Sequence, residues 1–422
     1  MANDALTTQP SCADDYDPNS LPVSAALDRI DTLVEPVTGH ERLALRQALG
    51  RVLAETITSP LDVPAHTNSA MDGYAVCSAD LPGEGTGELA IIGSAFAGAP
   101  FQGQGKPGTT VRIMTGAVLP QGYDTVVMQE HVQRNGERLR IGSGHKPGQN
   151  VRQAGEDLAR GGVVYRPGQL IRPAQLGVLA SLGINELRVR RRPRVAFFST
   201  GDELRCLGQS LGPGEIYDSN RYTLYGMLAR LGVELLDMGV VRDDPQELEM
   251  ALREASQAAD AIITSGGVSV GEADFVKDIL DRLGRVDFWK IAMKPGRPLA
   301  FGRVGEALFF GLPGNPVSVM VTFYQFVQPA LRRMMGQLET REVRVQVPCL
   351  SRLKKRPGRT EFQRGVLEQQ ADGSLVVRST GQQGSGILSS VSQANCFIVL
   401  PEEWGEVAAG TLVEVQPFEG LV

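Results

Sequence analysis

The sequence predicts a multidomain α/β-plus-β protein, on three observations. The chain has 422 residues, and single hydrophobic cores stop growing near roughly 250–300 residues, so several domains are expected. Over 193–340, short apolar runs alternate with helical periodicity, the pattern of a doubly wound α/β domain with a largely parallel sheet. Residues 60–150 and 341–422 instead carry short β-type runs punctuated by Gly and Pro.

In chain order, residues 1–20 are polar and acidic (Asp14, Asp15, Asp17) and read as a disordered leader. From Ser24, a candidate N-cap, Ala26, Leu27, Ile30 and Leu33 fall on one helical face. A second helical stretch is expected over about 41–49, closed by Gly50. Within 60–150, runs at 89–92, 109–114, 125–129 and 139–141 predict a small inserted β domain. Helical texture returns at 173–182, so the first, helical domain is discontinuous, formed by 21–59 and 151–192. In the α/β domain, strands are expected at 195–198, 233–236, 261–264 and 308–310. The helices between and after them are expected at 221–231, 247–258, 275–283 and from the GLPGNP segment to about 335. Runs at 343–347, 375–378, 397–400 and 412–415 predict a small, barrel-like C-terminal β domain.

Composition narrows the function. Hydrophobic residues at 42% and charged residues at 21% are ordinary for a soluble globular protein. A formal net charge of −6 argues against nonspecific binding to nucleic acid or to a membrane surface, since both need a broad basic field. Cys12, Cys77, Cys206, Cys349 and Cys396 are scattered and form no CxxC pair, so neither a disulfide framework nor a structural zinc site is expected. No signal-peptide pattern and no apolar run of membrane length is seen. A cytoplasmic location is the reading.

Ligands of open α/β sheets bind at the carboxyl ends of strands. After the expected strands come Ser199-Thr200-Gly201-Asp202-Glu203, then Arg242-Asp243-Asp244, then a Ser-Gly-Gly segment running from Ser265 to Asp274, then Gly311-Leu312-Pro313-Gly314-Asn315-Pro316. Glycines at such turns let backbone N–H groups face an oxyanion. Carboxylates beside them suit a divalent cation. Asn315 and Pro316 fit the N-cap and first turn of a helix. Lys290 and Lys294 supply positive charge nearby. Any one of these loops reads as an ordinary turn; their convergence on one sheet edge reads as a site.

Other motifs carry less. Gly267-Val268-Ser269-Val270-Gly271 matches the G-x-S-x-G elbow, but that fold needs its His after the Ser, and His40, His66, His131 and His145 all precede it. Neither a P-loop nor a strand-linked GxGxxG occurs. The segment 68–75 (NSAMDGYA) reads as a hairpin turn, and 112–116 (RIMTG) and 155–157 (GED) are bland alone. The basic stretches 188–194 and 352–359 read as solvated, although the second, with Arg364, could feed an anion site.

Taken together, SPLDVPAHTNSAMDGYAV, RIMTGAVLP, GEDL, VAFFSTGDEL, IYDSNR, VVRDDP, ITSGGVSVGEAD, KIAMKPGRPLAFG, FGLPGNPVS, SRLKKRPGRTEFQRG and GQQGS resemble one family, over about residues 21–417. It is the molybdopterin molybdenumtransferases, MoeA in bacteria and the E-domain of gephyrin in animals. The sequence departs from the pattern at Ala65-His66-Thr67, where close members often carry an acidic residue. The resemblance implies insertion of molybdate into adenylylated molybdopterin with release of AMP, assisted by Mg2+. It implies site residues Asp72, Thr115 and Asp157, and metal and phosphate handling by Glu203, Asp243 and Asp274. It also implies an anion pocket shaped by Lys290, Lys294, Pro313 and Pro316, with Arg364 and Ser385 helping to hold molybdate or the pterin. A homodimer is implied by the same resemblance, with sites built across its interface, as are contacts with other cofactor-biosynthesis proteins. Two alternatives stay open: a molybdopterin adenylyltransferase, whose fold the α/β domain resembles, and a non-enzymatic scaffold of the gephyrin type.

Overall fold

The computed structural model describes residues 19–267, 274–338 and 343–418. Nearly all of the expected leader and residues 268–273, with most of the Gly267–Gly271 motif, lie outside the described residues. The described residues form two compact units: Arg42–Leu49 with Leu53–Val189, and those of 19–41, Gly50–Val52 and 190–418.

The second unit holds a six-stranded sheet. Its elements are β1 (Arg194–Thr200), α1 (Ser219–Leu231), β2 (Glu234–Val241), α2 (Pro245–Ala258), β3 (Ala261–Ser265), α3 (Asp274–Leu283), β4 (Gly284–Lys290), β5 (Pro298–Val304), β6 (Ala307–Leu312) and α4 (Pro316–Thr322). The spatial order is β2-β1-β3-β6-β5-β4. The first four strands are parallel, β5 runs antiparallel to β6, and β4 antiparallel to β5. Helices cover both faces, so β1 and β3 are buried along almost their whole length and read as unbroken apolar runs. Ala196, Phe198, Ile262 and Phe309 pack against Leu248, Leu252 and Ala255 of α2 and Ile279 and Leu280 of α3. Ser199 has the opposite parity on β1 and bonds Asp218, the N-cap of α1, so α1 lies on the other face.

The caps explain where these helices start. Asp218 accepts from Arg221 N–H, and Asp244 accepts from the N–H groups of Gln246 and Glu247, with Pro245 at the first helical position. Asn315 and Pro316 occupy the expected cap and first-turn positions of α4, although the Asn315 side chain makes no capping bond. A π-helical turn, Phe323–Val327, joins α4 to a helix over Gln328–Met334. It precedes Pro329, which has no N–H to return to the preceding turn.

Two helical expectations need correction. The first helix is Val23–Leu33 with Pro22 at its cap position, so Ser24 lies inside the first turn. Over 41–49 there is a strand, His40–Ala44, and a 3-10 turn, Leu45–Ala48, in place of an α-helix. Leu45 N–H goes to Asn185 O, not back along its own segment. Within 42–59 and 151–189 the one α-helix is Pro173–Ser181, and short strand pairs such as Ile57–Thr58 with Val163–Tyr165 make up much of the rest.

The insertion is a six-stranded sheet in the order Thr125–Met128, Gly73–Val76, Thr109–Ile113, Thr86–Ala95, Arg138–Gly142, Val132–Asn135. Gly73 is required there, because a Cβ would sit 2.1 Å from Val127 O.

At the C-terminal end, Thr360–Gln369 pairs with Cys396–Leu400, which pairs with Leu412–Pro417, which pairs with Val345–Pro348. A bridge from Cys349 to Val377 then reaches Leu375–Ser379, which pairs back to Thr360–Gln369 and closes the ring. The long central strand escaped the sequence reading because Glu361, Gln363 and Arg364 are polar yet buried.

Both basic stretches include structural cations. Lys355 is buried, and its Nζ donates to the carbonyls of Arg359 (2.8 Å), Arg356 (3.1 Å) and Trp404 (3.1 Å). Arg191 grips Asp260 through Nη1 and Nη2, each at 2.7 Å, and Arg194 N–H joins at 2.7 Å. Burial works against the Asp260 charge, but these donors outweigh it and hold the carboxyl below its ordinary range. The stability it contributes is therefore complete above about pH 4 and is lost as pH falls through the lower folded value. The Tm gap between the wild type and Asp260→Asn should be widest near about pH 7 and should narrow below about pH 4. A gap that stays constant across a thermal-unfolding pH series contradicts this.

Candidate functional site

Strand register assembles the candidate site. Ser199 is level with Ser265, and Ser265 with Leu312. One residue further, each strand delivers its turn: Thr200-Gly201, Gly266-Gly267 and Pro313-Gly314. Thr200 is also level with Val241, so Arg242 and Asp243 come next at the same rim. Phe288 pairs with Ala300, and Ala300 with Gly311, so Lys290, opposite Pro298, ends its strand at that same rim.

The turns are tightly fitted. Gly266 adopts φ 92°, and a Cβ there would lie 2.6 Å from Thr200 O. A Cβ on Gly201 would lie 2.6 Å from Glu203 Oε2, so the Glu203 carboxylate folds against its own turn. Asp243 N–H donates to Asp202 Oδ1 at 3.4 Å, which brings the loops of Glu203 and Asp243 together. Asp274 opens α3, but its side chain lies outside the described residues. Among the described residues, no three His, Cys, Asp or Glu side chains gather into a metal-binding group.

Beneath the rim sit Asp218 and Asn220, to which the sequence motifs assigned no site role. Asn220 Nδ2 donates to Ser265 Oγ (2.8 Å) and to Gly314 O (2.7 Å), bracing two turns. Ser199 Oγ donates to Asp218 Oδ1 at 3.0 Å. Thr200 Oγ1, Asp218 Oδ2 and Asn220 Oδ1 are buried with no hydrogen-bond partner. For Asp218 and Asn220 the sequence signal was the IYDSNR segment, which by itself reads as a strand followed by a helix cap.

The C-terminal ring also reaches this rim. Val317 N–H, in the first turn of α4, donates to Ser385 O at 3.0 Å, so Ser385 lies beside Pro313 and Pro316. Arg364 is 1% exposed; its Nε donates to Ser390 Oγ and its Nη2 to Gly384 O, both at 3.0 Å. Burial pushes its pKa down to about 10. These bonds make Arg364 an anchor for the loop that carries Ser385. Lys290 and Lys294 are exposed, and Lys294 pairs in register with Glu361.

In the other unit, three separate motifs meet. Ser69 N–H donates to Ala117 O (3.0 Å), Gly116 N–H to Ser69 O (2.8 Å) and Ala70 N–H to Asn150 O (2.9 Å). This places Asp72 beside Thr115, whose N–H and Oγ1 donate to Asp72 Oδ1 at 2.8 and 2.7 Å. The backbone bond first, and the hydroxyl bond second, hold the exposed Asp72 carboxyl below the usual carboxylate range. Asp157 is exposed in the return turn, its N–H donating to Val63 O at 3.0 Å.

The fold defines the class: an open, largely parallel α/β module accompanied by small β-rich domains. Three family models match the chain: MoeA N-terminal region (domain I and II) over 21–183, probable molybdopterin binding domain over 196–333, and MoeA C-terminal region (domain IV) over 346–418. A Haemophilus influenzae protein named molybdopterin molybdenumtransferase is 46% identical, covering 91% of this chain and 95% of its own. Gephyrin of Dictyostelium discoideum is 35% identical over 94% of this chain and 62% of its own length. The crystal structure of a molybdopterin biosynthesis MoeA protein from Pyrococcus horikoshii OT3 superimposes with a TM-score of 0.83 at 29% identity, covering 95% of this chain and all of that one. The chain belongs to the MoeA family.

The Asp72 geometry makes a prediction. Thr115→Val removes one of the two donors, so the Asp72 carboxyl should titrate at higher pH than in the wild type when monitored by carbon NMR. An unmoved titration would mean that the hydroxyl bond has no weight.

Proposed function

We propose that this chain inserts molybdate into adenylylated molybdopterin, releasing AMP and leaving molybdenum on the dithiolene sulfurs. The observation that carries the reading is the rim, where glycine turns, carboxylates and Lys290 share one edge of the sheet in a chain of this family. Lys290 and Lys294 supply positive charge for phosphate and molybdate oxygens. The close-packed turns let backbone approach a phosphate. No nucleophilic Cys or Ser-His pair is needed, because the step depends on electrostatic stabilisation of a leaving phosphate.

Mg2+ fits the donor set. Hard carboxylate oxygens of Glu203 and Asp243 lie on adjoining loops, and Mg2+ is usually held by one or two carboxylates completed by substrate phosphate. Bound there, it would neutralise phosphate charge. Asp274 is our third candidate for that role.

A homodimer is part of the same proposal. Leu207, Leu211, Ile216, Tyr217, Tyr222 and Tyr225 are all exposed between residues 207 and 225, apolar side chains that a second subunit would cover. A cytoplasmic location suits Cys77, Cys206, Cys349 and Cys396, all free thiols. No helix among the described residues is long and apolar enough to cross a membrane.

The test supplies purified protein with adenylylated molybdopterin, molybdate and Mg2+, and measures AMP over time. Molybdate-dependent release is expected; tight binding without release would favour the scaffold reading. Asp274→Asn should lower turnover on the order of a hundredfold with little change in Tm. Unchanged turnover would remove Asp274 from the chemistry.

A further inference from the structure

Asp218 is 2% exposed, a carboxylate buried beneath the rim. Its Oδ1 accepts from Ser199 Oγ at 3.0 Å and Arg221 N–H at 3.1 Å. Its Oδ2 has no partner. Capping α1 needs only one acceptor, and Ser, Thr or Asn would provide it. The second oxygen therefore lacks a hydrogen bond that the fold could supply, and leaving it unfilled away from water is costly. The Arg221 guanidinium is near enough to act on the Asp218 charge, but its Nε bonds Asp237 Oδ1 at 2.8 Å and no hydrogen bond reaches Asp218 Oδ2.

Asn220 repeats the pattern. Its Nδ2 faces the Gly314 carbonyl, which can only accept, so the amide orientation is fixed and Oδ1 is an acceptor. That atom is also buried and unpartnered. Thr200 Oγ1 is a third such oxygen, on a hydroxyl that can turn to donate or accept.

Two fixed acceptors cannot hold phosphate or molybdate, which are acceptors themselves. Their anchors, Ser199 and Ser265, are paired on neighbouring strands, so they suit a ligand that carries two N–H donors. A pterin has them, because its N3–H and 2-amino group lie side by side. Each edge of adenine places its single amino group next to a ring acceptor. We propose that Asp218 and Asn220 form the subsite that reads the amino-pyrimidinone edge of the pterin. This rests on the substrate reading above and adds to it which residues select the heterocycle.

Calorimetry on the full chain tests this with adenylylated molybdopterin, AMP and MgCl2 as separate titrants. Asp218→Asn keeps a capping oxygen and replaces the other acceptor with a donor. Affinity for adenylylated molybdopterin should fall about ten- to a hundredfold, while AMP affinity changes less than about twofold. An equal loss for both nucleotides, or no loss for either, overturns the proposal. Loss of Mg2+ binding without a pterin-specific effect also overturns it, in favour of a cation site. If Asp218→Asn fails to fold, the wild type decides: it should bind a simple pterin at least about tenfold more tightly than the analogue lacking the 2-amino group. Equal binding overturns the proposal. A wild type that turns over adenylylated molybdopterin yet ignores the 2-amino group sinks this inference alone. A wild type that binds no adenylylated molybdopterin sinks the substrate reading and this inference together.

Discussion

The register of the parallel strands is the constraint on which the rest depends. Ser199, Ser265 and Leu312 stand side by side, so the turns after β1, β3 and β6 emerge together. A slip of one residue would turn every side chain of a strand to the other face. It would part Ser199 from Asp218 and Ser265 from Asn220. The register holds because both faces are buried, with α2 and α3 against Ala196, Phe198 and Ile262 on one side and α1 on the other. The antiparallel extension through β5 then carries Lys290 to the same rim. A core interaction thus sets the spacing of groups contributed by distant parts of the chain.

Much of the α/β sheet was legible in the sequence for the same reason. A strand buried on both faces is an apolar run, and Val195–Phe198 and Ala261–Thr264 have no other easy reading. Legibility failed where burial and polarity part company. Thr360–Gln369 carries Glu361, Gln363 and Arg364 inward and so looked like surface. Lys355 and Arg191 looked like solvated charge, yet carbonyls surround the first and Asp260 clamps the second. At 41–49 the leucine spacing suited a helix, but a tertiary bond from Leu45 to Asn185 prevailed over local preference.

The candidate site divides in the same way. Glu203, Asp243 and Lys290 stand at or just past the ends of strands, where a ligand of an open α/β sheet is expected, so their positions along the chain single them out. Asp218 and Asn220 precede or open a helix, where Asp and Asn are expected as caps, so nothing in the sequence separates a cap from a binding group. The distinction appears only when each oxygen is traced to its partner. Asp72 and Thr115 are joined by two hydrogen bonds across 43 positions of sequence, a pairing that local pattern cannot show. Arg364 entered through family resemblance as a ligand contact; its bonds to Gly384 and Ser390 give it the task of anchoring the loop that presents Ser385 to α4.

The most direct test of the account is a crystal structure of the protein with adenylylated molybdopterin. The phosphates should lie along the turns at Gly201, Gly266 and Gly314, near Lys290, at the carboxyl ends of β1, β3 and β6. A ligand seated elsewhere, with this rim facing only water, would contradict the claim that strand register builds the site.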